Sequence, residues 1–282
     1  MAITILVTGA TGKTGRRLIP RLRARGAEVR AASRRADAGY IRFDWARPET
    51  YDAALRGADA IYLVPPDLVE DPTPLVGPFL SRAAELGVGR VVALSSLGVT
   101  FPREEPDSGR LRLERQIVAS GLAWTLLRPS GFAQNFSEGF MLPGILQAGM
   151  IATATGDGAA AFIDADDIAA VAAAALTEPG HDGAAYALTG PAALTFAEAA
   201  KTIGEVVGRT IAHRPIPSTE LLTILQSAGL PVDYAAMVVR DQEAIRDGSG
   251  AVVTDDVARV TGRPATTFAD YAARAASAWG QQ

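Results

Sequence analysis

The hydrophobic positions at the start of the chain predict a strand, a turn and a helix. Residues 3–7 form a continuous run of apolar and β-branched side chains, which is typical of a strand buried on both faces. After a glycine-rich turn, Leu18 and Leu22 recur at helical spacing among arginines, and Gly26 ends the segment. Pro20 lies inside this helix and is expected to bend it, because proline removes one backbone hydrogen bond.

Apolar runs alternate with helical patterns over the next hundred residues. Further strands are predicted at residues 28–32, 58–64, 90–95 and 124–127, and helices at residues 75–86 and 111–119. This alternation predicts an α/β fold, a Rossmann-like doubly wound parallel sheet. Beyond Pro129 the chain becomes rich in glycine and alanine, with one short strand at residues 184–188 and helices near residues 165–176 and 196–207. We therefore expect a single Rossmann-fold protein over residues 1–282, with a core at roughly 1–130 and a small α-rich C-terminal region at 131–282.

The composition suits one compact protein with a large core. Hydrophobic residues make up 48% of the 282 residues and charged residues 21%, and the formal net charge is −4. The chain has no cysteine, which excludes disulfides and thiolate chemistry. The longest wholly apolar stretch, residues 168–176, is too short and too rich in alanine to span a bilayer.

Charge and targeting patterns narrow the expected partners. No basic stripe with interleaved aromatic side chains is present, so no nucleic acid is expected as a partner. No charged region precedes an apolar region at the N-terminus, so no secretory signal is predicted, and the expected location is cytoplasmic. Since residues 168–176 are too short to span a bilayer, no membrane partner is expected. The sequence favours neither a monomer nor a homodimer.

The turn after the first strand carries a phosphate-binding pattern, TGATGKTG, at residues 8–15. Gly9 suits the tight turn, Gly12 lets the backbone approach a pyrophosphate, and Gly15 lets the helix pack closely on the strand. The amides and the positive dipole at the helix N-terminus then face the phosphates. The sequence therefore predicts a dinucleotide site at this turn.

The end of the second strand predicts which dinucleotide binds. A site that prefers NAD usually has an acidic residue there, about 20 residues after the glycines. This chain has Ser33, Arg34 and Arg35 instead. A guanidinium binds a phosphate bidentately and stays charged, so one or both arginines are predicted to hold the 2′-phosphate of NADP(H). The alternative is a solvated basic loop, since arginine is the dominant cation of the chain.

Six segments occur in a characteristic order. They are residues 8–15 (TGATGKTG), 43–45 (FDW), 62–66 (YLVPP), 94–96 (LSS), 124–129 (WTLLRP) and 162–169 (FIDADDIA). The ordered set, over roughly residues 3–210, resembles NmrA-like atypical short-chain dehydrogenases/reductases. Within that group the chain is similar to NAD(P)H-dependent quinone or azo reductases and to ergot-alkaloid-type iminium reductases. The resemblance implies a Rossmann domain, an NAD(P) cofactor and a small C-terminal substrate-binding region.

Carried over position by position, the resemblance implies a cofactor site built from several loops. The residues implied for cofactor binding are Gly9, Thr11, Gly12, Lys13, Thr14, Gly15, Ser33, Arg34, Arg35, Asp44, Leu63, Val64, Pro65 and Ser95. Asp44 would lie beside the adenine, and the alternative is that it caps the following helix. Leu63, Val64 and Pro65, at the end of the predicted strand 58–64, would pass under the nicotinamide ribose. Ser95 and Ser96, at the end of the predicted strand 90–95, would donate to the substrate or the nicotinamide, or serve as ordinary turn or cap residues.

The catalytic residues are the main departure from the superfamily pattern. Typical members use a tyrosine and a lysine four residues later to deliver a proton. The only lysines here are Lys13 and Lys201, and no tyrosine stands four residues before either. Ser96 and Arg110 are the catalytic candidates, and Arg110 would anchor a phosphate or polarise a carbonyl. The alternative for Arg110 is a surface ion pair with Glu114 at i, i+4 spacing.

Substrate contacts are expected from the segment that begins at Pro129. Phe132 and Phe136 stand one helical turn apart and would wall a flat or apolar substrate, with Asn135 supplying a hydrogen bond. The alternative is that both aromatic side chains belong to the core. The segment is therefore the candidate substrate-binding region.

A cluster of three acidic residues raises the question of a metal site. Asp164, Asp166 and Asp167 immediately precede an alanine-rich helix, where acidic side chains cap the helix and complement its dipole. We therefore expect helix capping at this cluster and no metal.

Two functions remain open from the sequence. The first is an NADPH-dependent reductase that transfers hydride to a small organic acceptor (an iminium, quinone, enone or carbonyl compound) without a Tyr/Lys pair. The second is a non-catalytic NADP-binding redox sensor or regulator of the NmrA type. An epimerase or lyase with permanently bound NAD is disfavoured, because those reactions also need a proton shuttle.

Overall fold

A seven-stranded sheet forms the centre of the fold in a computed structural model that describes residues 2–35 and 39–280. The strands among these described residues are β1 (Thr4–Val7), β2 (Glu28–Ser33), β3 (Ile41–Arg42), β4 (Ala60–Leu63), β5 (Arg90–Leu94), β6 (Ala123–Pro129), β7 (Met150–Thr153), β8 (Ala159–Ala160), β9 (Ala184–Leu188), β10 (Leu194–Thr195) and β11 (Ala212–Pro215). The helices are α1 (Gly15–Ala24), α2 (Tyr51–Leu55), α3 (Thr73–Glu85), α4 (Gly109–Val118), α5 (Leu142–Ala148), α6 (Ala165–Thr177), α7 (Phe196–Val207), α8 (Ser218–Ser227), α9 (Val232–Arg246), α10 (Asp256–Thr261) and α11 (Phe268–Ala275).

The strand order confirms the predicted fold class. The central sheet runs β3-β2-β1-β4-β5-β6-β9, and each neighbouring pair from β3 to β6 is parallel. The last pair, β6 and β9, runs the same way, since Gly183 N–H donates to Trp124 O and Ser130 N–H donates to Leu188 O further along both strands. The order reverses between β1 and β4, and open α/β sheets bind their ligands at the carboxyl ends of the strands beside such a point.

The predicted elements are present, with small shifts at their ends. The helix α1 continues through Pro20, which lies inside it. The helix α4 starts two residues before the predicted position, and the hydroxyl of Ser108 accepts a hydrogen bond from the Leu111 amide, as an N-cap does. The strand β6 is longer than predicted, from Ala123 to Pro129.

Two compact units divide the chain. The first comprises residues 1–99, 105–128 and 168–186, and the second comprises residues 100–104, 129–167 and 187–282. In the first unit, one face of the sheet packs against α3 and α4. The buried side chains of that cluster include Leu6, Ile61, Leu63, Val91, Ala93, Val76, Phe79, Leu80, Leu113 and Ile117. Side chains of the opposite parity, such as Ile5, Val7 and Val92, are buried as well, as expected of strands covered on both faces.

The second unit has its own aromatic core. Phe136, Phe162, Phe196 and Phe268 pack with ring centroids 5.1 to 6.0 Å apart, and the indole of Trp279 donates to the Phe136 carbonyl. Two small sheets belong to this unit, a parallel pair of β7 with β11 and an antiparallel pair of β8 with β10. Within the described residues, no helix combines the length and the apolar character that a membrane crossing needs.

Candidate cofactor-binding site

Thr8 joins the carboxyl ends of the two central strands. Its hydroxyl donates to the Tyr62 carbonyl at 3.1 Å and accepts from the Val64 amide at 2.8 Å, and its own amide donates to Tyr62 at 3.0 Å. Thr8 is buried, because β1 and β4 are neighbours at the middle of the sheet. These contacts hold the glycine turn against the segment that follows β4.

The three glycines of the turn pack on one another. Gly9 has φ +60°, and a Cβ there would lie 3.0 Å from the Cβ of Val64. The Gly12 amide donates to the Gly9 carbonyl at 2.9 Å, which closes the turn. A Cβ on Gly15 would lie 2.9 Å from the Cα of Ala10 and closer still to the Gly9 carbonyl oxygen. Only glycine leaves room for this geometry at position 15, and the turn delivers the chain directly into the first turn of α1.

The remaining residues of the turn differ in exposure. Thr11 is exposed, Lys13 is partly buried and Thr14 is buried. The Lys13 carbonyl accepts from the Arg17 guanidinium at 2.8 Å. Because the side chain of Thr14 is turned into the protein, its contribution to a phosphate site would come from the backbone.

Tyr62 is fully buried, and it is the tyrosine nearest along the sheet to this turn. Its hydroxyl has no hydrogen-bond partner of good geometry within the part of the chain that the structure describes. Burial raises the pKa of Tyr62 well above its usual range, and the neighbouring Thr14 side chain opposes this rise only in part. Because Tyr62 is fully buried, we expect its hydroxyl not to deliver a proton to an acceptor.

We expect Tyr62→Phe to leave the free energy of unfolding unchanged or to raise it, because a buried polar group without a partner costs about 1–3 kcal/mol. Turnover of NADPH is expected to stay within about twofold. The matched control is Tyr51→Phe: the Tyr51 hydroxyl is also buried but donates to the Trp45 carbonyl at 2.8 Å, so its loss should destabilise the protein by about 1 kcal/mol. Urea unfolding of both variants measures the difference. A destabilised, inactive Tyr62→Phe protein would contradict this account.

The end of β2 lies next to the glycine turn. The Ala10 amide donates to the Ala32 carbonyl at 3.2 Å, which brings Ser33, Arg34 and Arg35 to this edge. The Ser33 hydroxyl accepts from the Arg35 amide at 3.3 Å, and both arginines are exposed. The cation pair therefore projects from the carboxyl end of β2, where an adenosine ribose is bound in Rossmann folds.

Asp44 follows β3 and closes a turn. Its carboxylate accepts from the Ala46 amide at 3.0 Å, and its amide donates to the Thr50 hydroxyl at 3.1 Å. The residue at the N-cap position of α2 is Thr50. The alternative that Asp44 caps the following helix is therefore wrong, and the carboxylate shapes the loop itself. Its negative charge, together with burial, raises the pKa of Tyr51.

The segment after β4 supplies three of the expected cofactor contacts. Leu63 is fully buried in the core under α3 and α4, so its contribution would come from the backbone. Val64 packs against Gly9, and Pro65 is partly exposed. The turn and this segment are therefore in direct contact.

The serines after β5 have different surroundings. The Ser95 hydroxyl donates to the Glu114 carboxylate at 2.6 Å. The Ser96 hydroxyl accepts from the Gly98 amide at 3.1 Å, and a Cβ on Gly98 would lie 2.8 Å from Cζ of Arg110. Ser96 and Arg110, the two catalytic candidates, therefore meet at Gly98.

Glu114 corrects the interpretation of the Arg110 spacing. Its side chain is only 5% exposed, and it binds Arg128 through two hydrogen bonds of 2.9 and 2.6 Å in addition to Ser95. A surface ion pair at i, i+4 is therefore wrong for Glu114. The i, i+4 spacing places Arg110 and Glu114 on one face of α4. It carries no information about the side chains of β6, where Arg128 lies.

The candidate substrate-binding segment lies in the second unit. Phe132 pairs with Ile163, and the Ala133 amide donates to the Ile163 carbonyl at 2.8 Å. Pro129 is buried, whereas Phe132 and Asn135 are partly exposed.

Phe136 does not belong to an exposed wall. It is fully buried, and its ring packs against the three other phenylalanine rings of the second core. The core alternative therefore holds for Phe136, because the chain turns through a short 3-10 helix at residues 133–135 that directs this side chain inward. Phe132 and Asn135 remain the exposed part of the proposed substrate segment.

The acidic cluster caps and anchors α6. The Asp164 carboxylate accepts from the Asp166 amide at 2.9 Å and from the Gln134 side chain at 2.8 Å, and it pairs with Arg274. Asp167 pairs with Arg263 at 2.7 Å. Across residues 2–35 and 39–280, no three His, Asp or Glu side chains are grouped so as to hold a metal ion. The capping role expected at this cluster is present in Asp164.

Two functional features escaped the sequence reasoning. The glycine motif assigns no separate role to Thr8, although a hydroxyl directly before the first glycine signals a link to the next strand. The segment WTLLRP assigns no role to Arg128, whose link to Glu114 joins a strand to a helix. No spacing rule connects residues 14 apart on two different elements.

The parallel sheet and the glycine turn are typical of proteins that bind a dinucleotide across the carboxyl ends of the strands. A model of a NAD(P)H-binding family matches residues 9–179. The oxidoreductase YesF of Bacillus subtilis is 42% identical over 279 residues, covering 98% of this chain and 96% of that protein. The NAD(P)H azoreductase of Xenophilus azovorans is 33% identical over 98% of this chain and 99% of that protein.

A solved structure agrees with these relatives. The NADPH-dependent quinone oxidoreductase of Escherichia coli in complex with NADPH has a TM-score of 0.82 and 26% sequence identity, covering 96% of this chain and 99% of that chain. The chain belongs to the NAD(P)H-binding family, which confirms its resemblance to the NmrA-like atypical short-chain dehydrogenases/reductases. The expected class, an NAD(P)H-dependent oxidoreductase, is confirmed as well.

Proposed function

We propose that this protein is an NADPH-dependent reductase that transfers hydride to a small conjugated organic acceptor without a resident proton donor. The acceptor classes are quinones, azo compounds, iminium ions, enones and carbonyl compounds. The observation that carries the proposal is a complete glycine turn beside a tyrosine that cannot deliver a proton: Tyr62 is fully buried, and neither Lys13 nor Lys201 stands four residues after any tyrosine.

The cofactor fits the residues present. The turn from Gly9 to Gly15 is packed closely at its two ends, and Thr11 and Gly12 between them are exposed, so a pyrophosphate could approach the backbone there and the N-terminus of α1. The exposed arginines after β2 offer the charge that a 2′-phosphate requires, which favours NADPH over NADH. Bound NADPH supplies the hydride from its nicotinamide ring. In this proposal the segment after β4 would hold that ring, and Tyr62 would not serve as the acid.

Without a Tyr/Lys pair, the proposal favours acceptors that need little proton delivery from the protein. An iminium carbon accepts hydride without a proton, because its nitrogen already carries the positive charge. A quinone or azo acceptor takes its proton from water after hydride addition. The residues of this chain then serve to orient the two reactants and to exclude bulk water from the reacting carbon. The second unit, with Phe132 and Asn135, is the proposed acceptor-binding part.

NADPH oxidation in the presence of each acceptor class tests the proposal. We expect turnover with a quinone, an azo dye or an iminium compound, a primary isotope effect from C4-deuterated NADPH, and a solvent isotope effect near 1 for the iminium compound. Binding of NADPH without oxidation by any acceptor would instead favour the redox-sensor function. A failure to bind NADPH would contradict both functions.

Arg110→Ala is expected to reduce kcat/KM by no more than about tenfold, because a guanidinium stays charged and anchors or polarises a group without releasing a proton. Loss of a resident general acid would cost about 10²–10⁴-fold. The matched control is Arg112→Ala, which removes the same charge from the same helix at a residue paired with Asp71 at 2.9 Å. Steady-state kinetics with one quinone measures both variants. A drop of a thousandfold in Arg110→Ala alone would show that proton delivery depends on this residue.

A further inference from the structure

Three polar side chains are joined by hydrogen bonds where β5 and β6 end beside α4: Ser95 directly after β5, Arg128 on β6 and Glu114 on α4, which we name the serine network. The Arg128 guanidinium donates from Nε to Oε1 of Glu114 at 2.9 Å and from Nη2 to Oε2 at 2.6 Å. The Ser95 hydroxyl donates to the same Oε1 at 2.6 Å. One carboxylate therefore receives three hydrogen bonds.

The charges of this network fix the direction of the serine hydrogen bond. The bidentate hydrogen bonds to Glu114 raise the pKa of Arg128, so the guanidinium stays charged and occupies both carboxylate oxygens as a donor. An ionised carboxylate only accepts hydrogen bonds. The proton of Ser95 therefore points at Glu114, and the lone pairs of its oxygen are left for another donor.

The network lies beside the segment that is proposed to hold the nicotinamide. In the parallel register Leu63 pairs with Ala93, so Pro65 and Ser95 both stand two residues further along. Leu94 pairs with Leu127, so Arg128 is at the level of Ser95 on the next strand. The Ser95 amide continues this ladder by donating to the Leu127 carbonyl at 2.7 Å. Pro65, Ser95 and Arg128 therefore stand at one level on neighbouring chain segments, with Ser95 between the other two.

We propose that Glu114 and Arg128 are positioning residues that make the Ser95 hydroxyl an obligate hydrogen-bond acceptor for the carboxamide N–H of the bound nicotinamide. This inference rests on the proposed function. The carboxamide is the substituent of that ring that carries N–H donors, and its hydrogen bond fixes which face of the ring is presented to the acceptor. The same arrangement prevents Ser95 from donating a proton to the acceptor.

A purely structural role does not account for the network. Glu114 is 5% exposed, and burying an ion pair brings little net stability over apolar side chains of the same volume. The neighbouring contacts of α4 with the sheet are apolar, as at Leu113 and Ile117. A charged pair in this position instead provides an oriented acceptor for Ser95.

An NADPH analogue with an acetyl group in place of the carboxamide tests the inference, because it keeps the carbonyl and lacks the N–H donors. We expect the unaltered protein to bind NADPH about three- to tenfold more tightly than the analogue, the range of one hydrogen bond. Ser95→Ala, which leaves the ion pair in place, should bind both nucleotides equally, and Ser95→Thr should restore the preference. Glu114→Gln should lower the preference below about twofold. Fluorescence titration gives each dissociation constant without turnover.

The control is Asp52→Asn, which breaks a comparable bidentate pair with Arg82, of 2.6 and 2.7 Å, at a more exposed position. It should leave the preference unchanged. A Ser95→Ala protein that retains the full preference for NADPH would overturn the inference while leaving the reductase function intact. A change confined to the KM of the acceptor would also overturn it, because the hydroxyl would then serve the acceptor. If the unaltered protein prefers NADPH to the analogue as expected but turns over no acceptor, only the reductase function is contradicted.

Discussion

Replacing Arg34 and Arg35 together with alanine is expected to weaken NADPH binding by tenfold or more and to change NADH binding by less than about twofold. Both side chains are exposed at the carboxyl end of β2, and the turn that follows is shaped by the Ser33 hydroxyl. A charge-assisted hydrogen bond to a phosphate is worth about 1.5–3 kcal/mol, and about 1.4 kcal/mol corresponds to tenfold in affinity. NADH lacks the 2′-phosphate, so removing the arginines removes no phosphate contact from it.

Fluorescence titration of both nucleotides measures this prediction, and salt provides a second check. The preference for NADPH in the unaltered protein should shrink between about 0.05 and 0.5 M salt, because exposed charges are screened. The matched control is Arg23→Ala, which removes a positive charge from the last turn of α1, at the opposite end from the glycine turn. Equal losses for NADPH and NADH in the double variant would show that the arginines act on the loop rather than on the phosphate.

Gly15→Ala is expected to abolish tight nucleotide binding and to lower the free energy of unfolding by about 2–3 kcal/mol, as overpacking of a closed site does. The added Cβ would lie 2.9 Å from the Cα of Ala10 and closer to the Gly9 carbonyl oxygen. Both obstacles are backbone atoms of the turn, so the whole loop must shift. Without that clash, alanine inside a helix would be favoured over glycine by about 1 kcal/mol.

The control for this variant is Gly89→Ala. The closest atom to a Cβ there is the Asp59 carbonyl oxygen at 3.8 Å, which is ordinary contact. Its stability should stay within about 0.5 kcal/mol of the unaltered protein. Thermal unfolding and an NADPH titration of both variants check the result, and a Gly15→Ala protein that binds NADPH normally would contradict the close packing of the turn.

The local features of this protein were predictable from its sequence because they follow from local sterics. The strand at the start, the glycine turn and α1 occupy adjacent residues, and apolar periodicity together with glycine placement determines each. The small pairs β8 with β10 and β7 with β11 were not foreseen, because strands of two to four residues carry too few positions for a pattern.

The predictions about the site that were wrong concern contacts between side chains that are far apart in the sequence. The spacing of Phe132 and Phe136 indicated a shared face but not whether that face was buried. The i, i+4 rule assigned Glu114 to Arg110, whereas the partner observed lies on β6. A buried carboxylate binds the strongest hydrogen-bond donor close to it. Because the sheet determines which side chains lie close to Glu114, only the folded structure identifies Arg128 as its partner.

The hydrogen bonds of Thr8 have a thermodynamic consequence for ligand affinity. Since they tie the glycine turn to the segment after β4, the two halves of a dinucleotide meet surfaces whose mutual geometry is fixed when the protein folds. Ordering a backbone residue costs about 1–2 kcal/mol of conformational entropy. Because the turn is already ordered in the folded protein, this cost is not subtracted again from the binding free energy of the pyrophosphate.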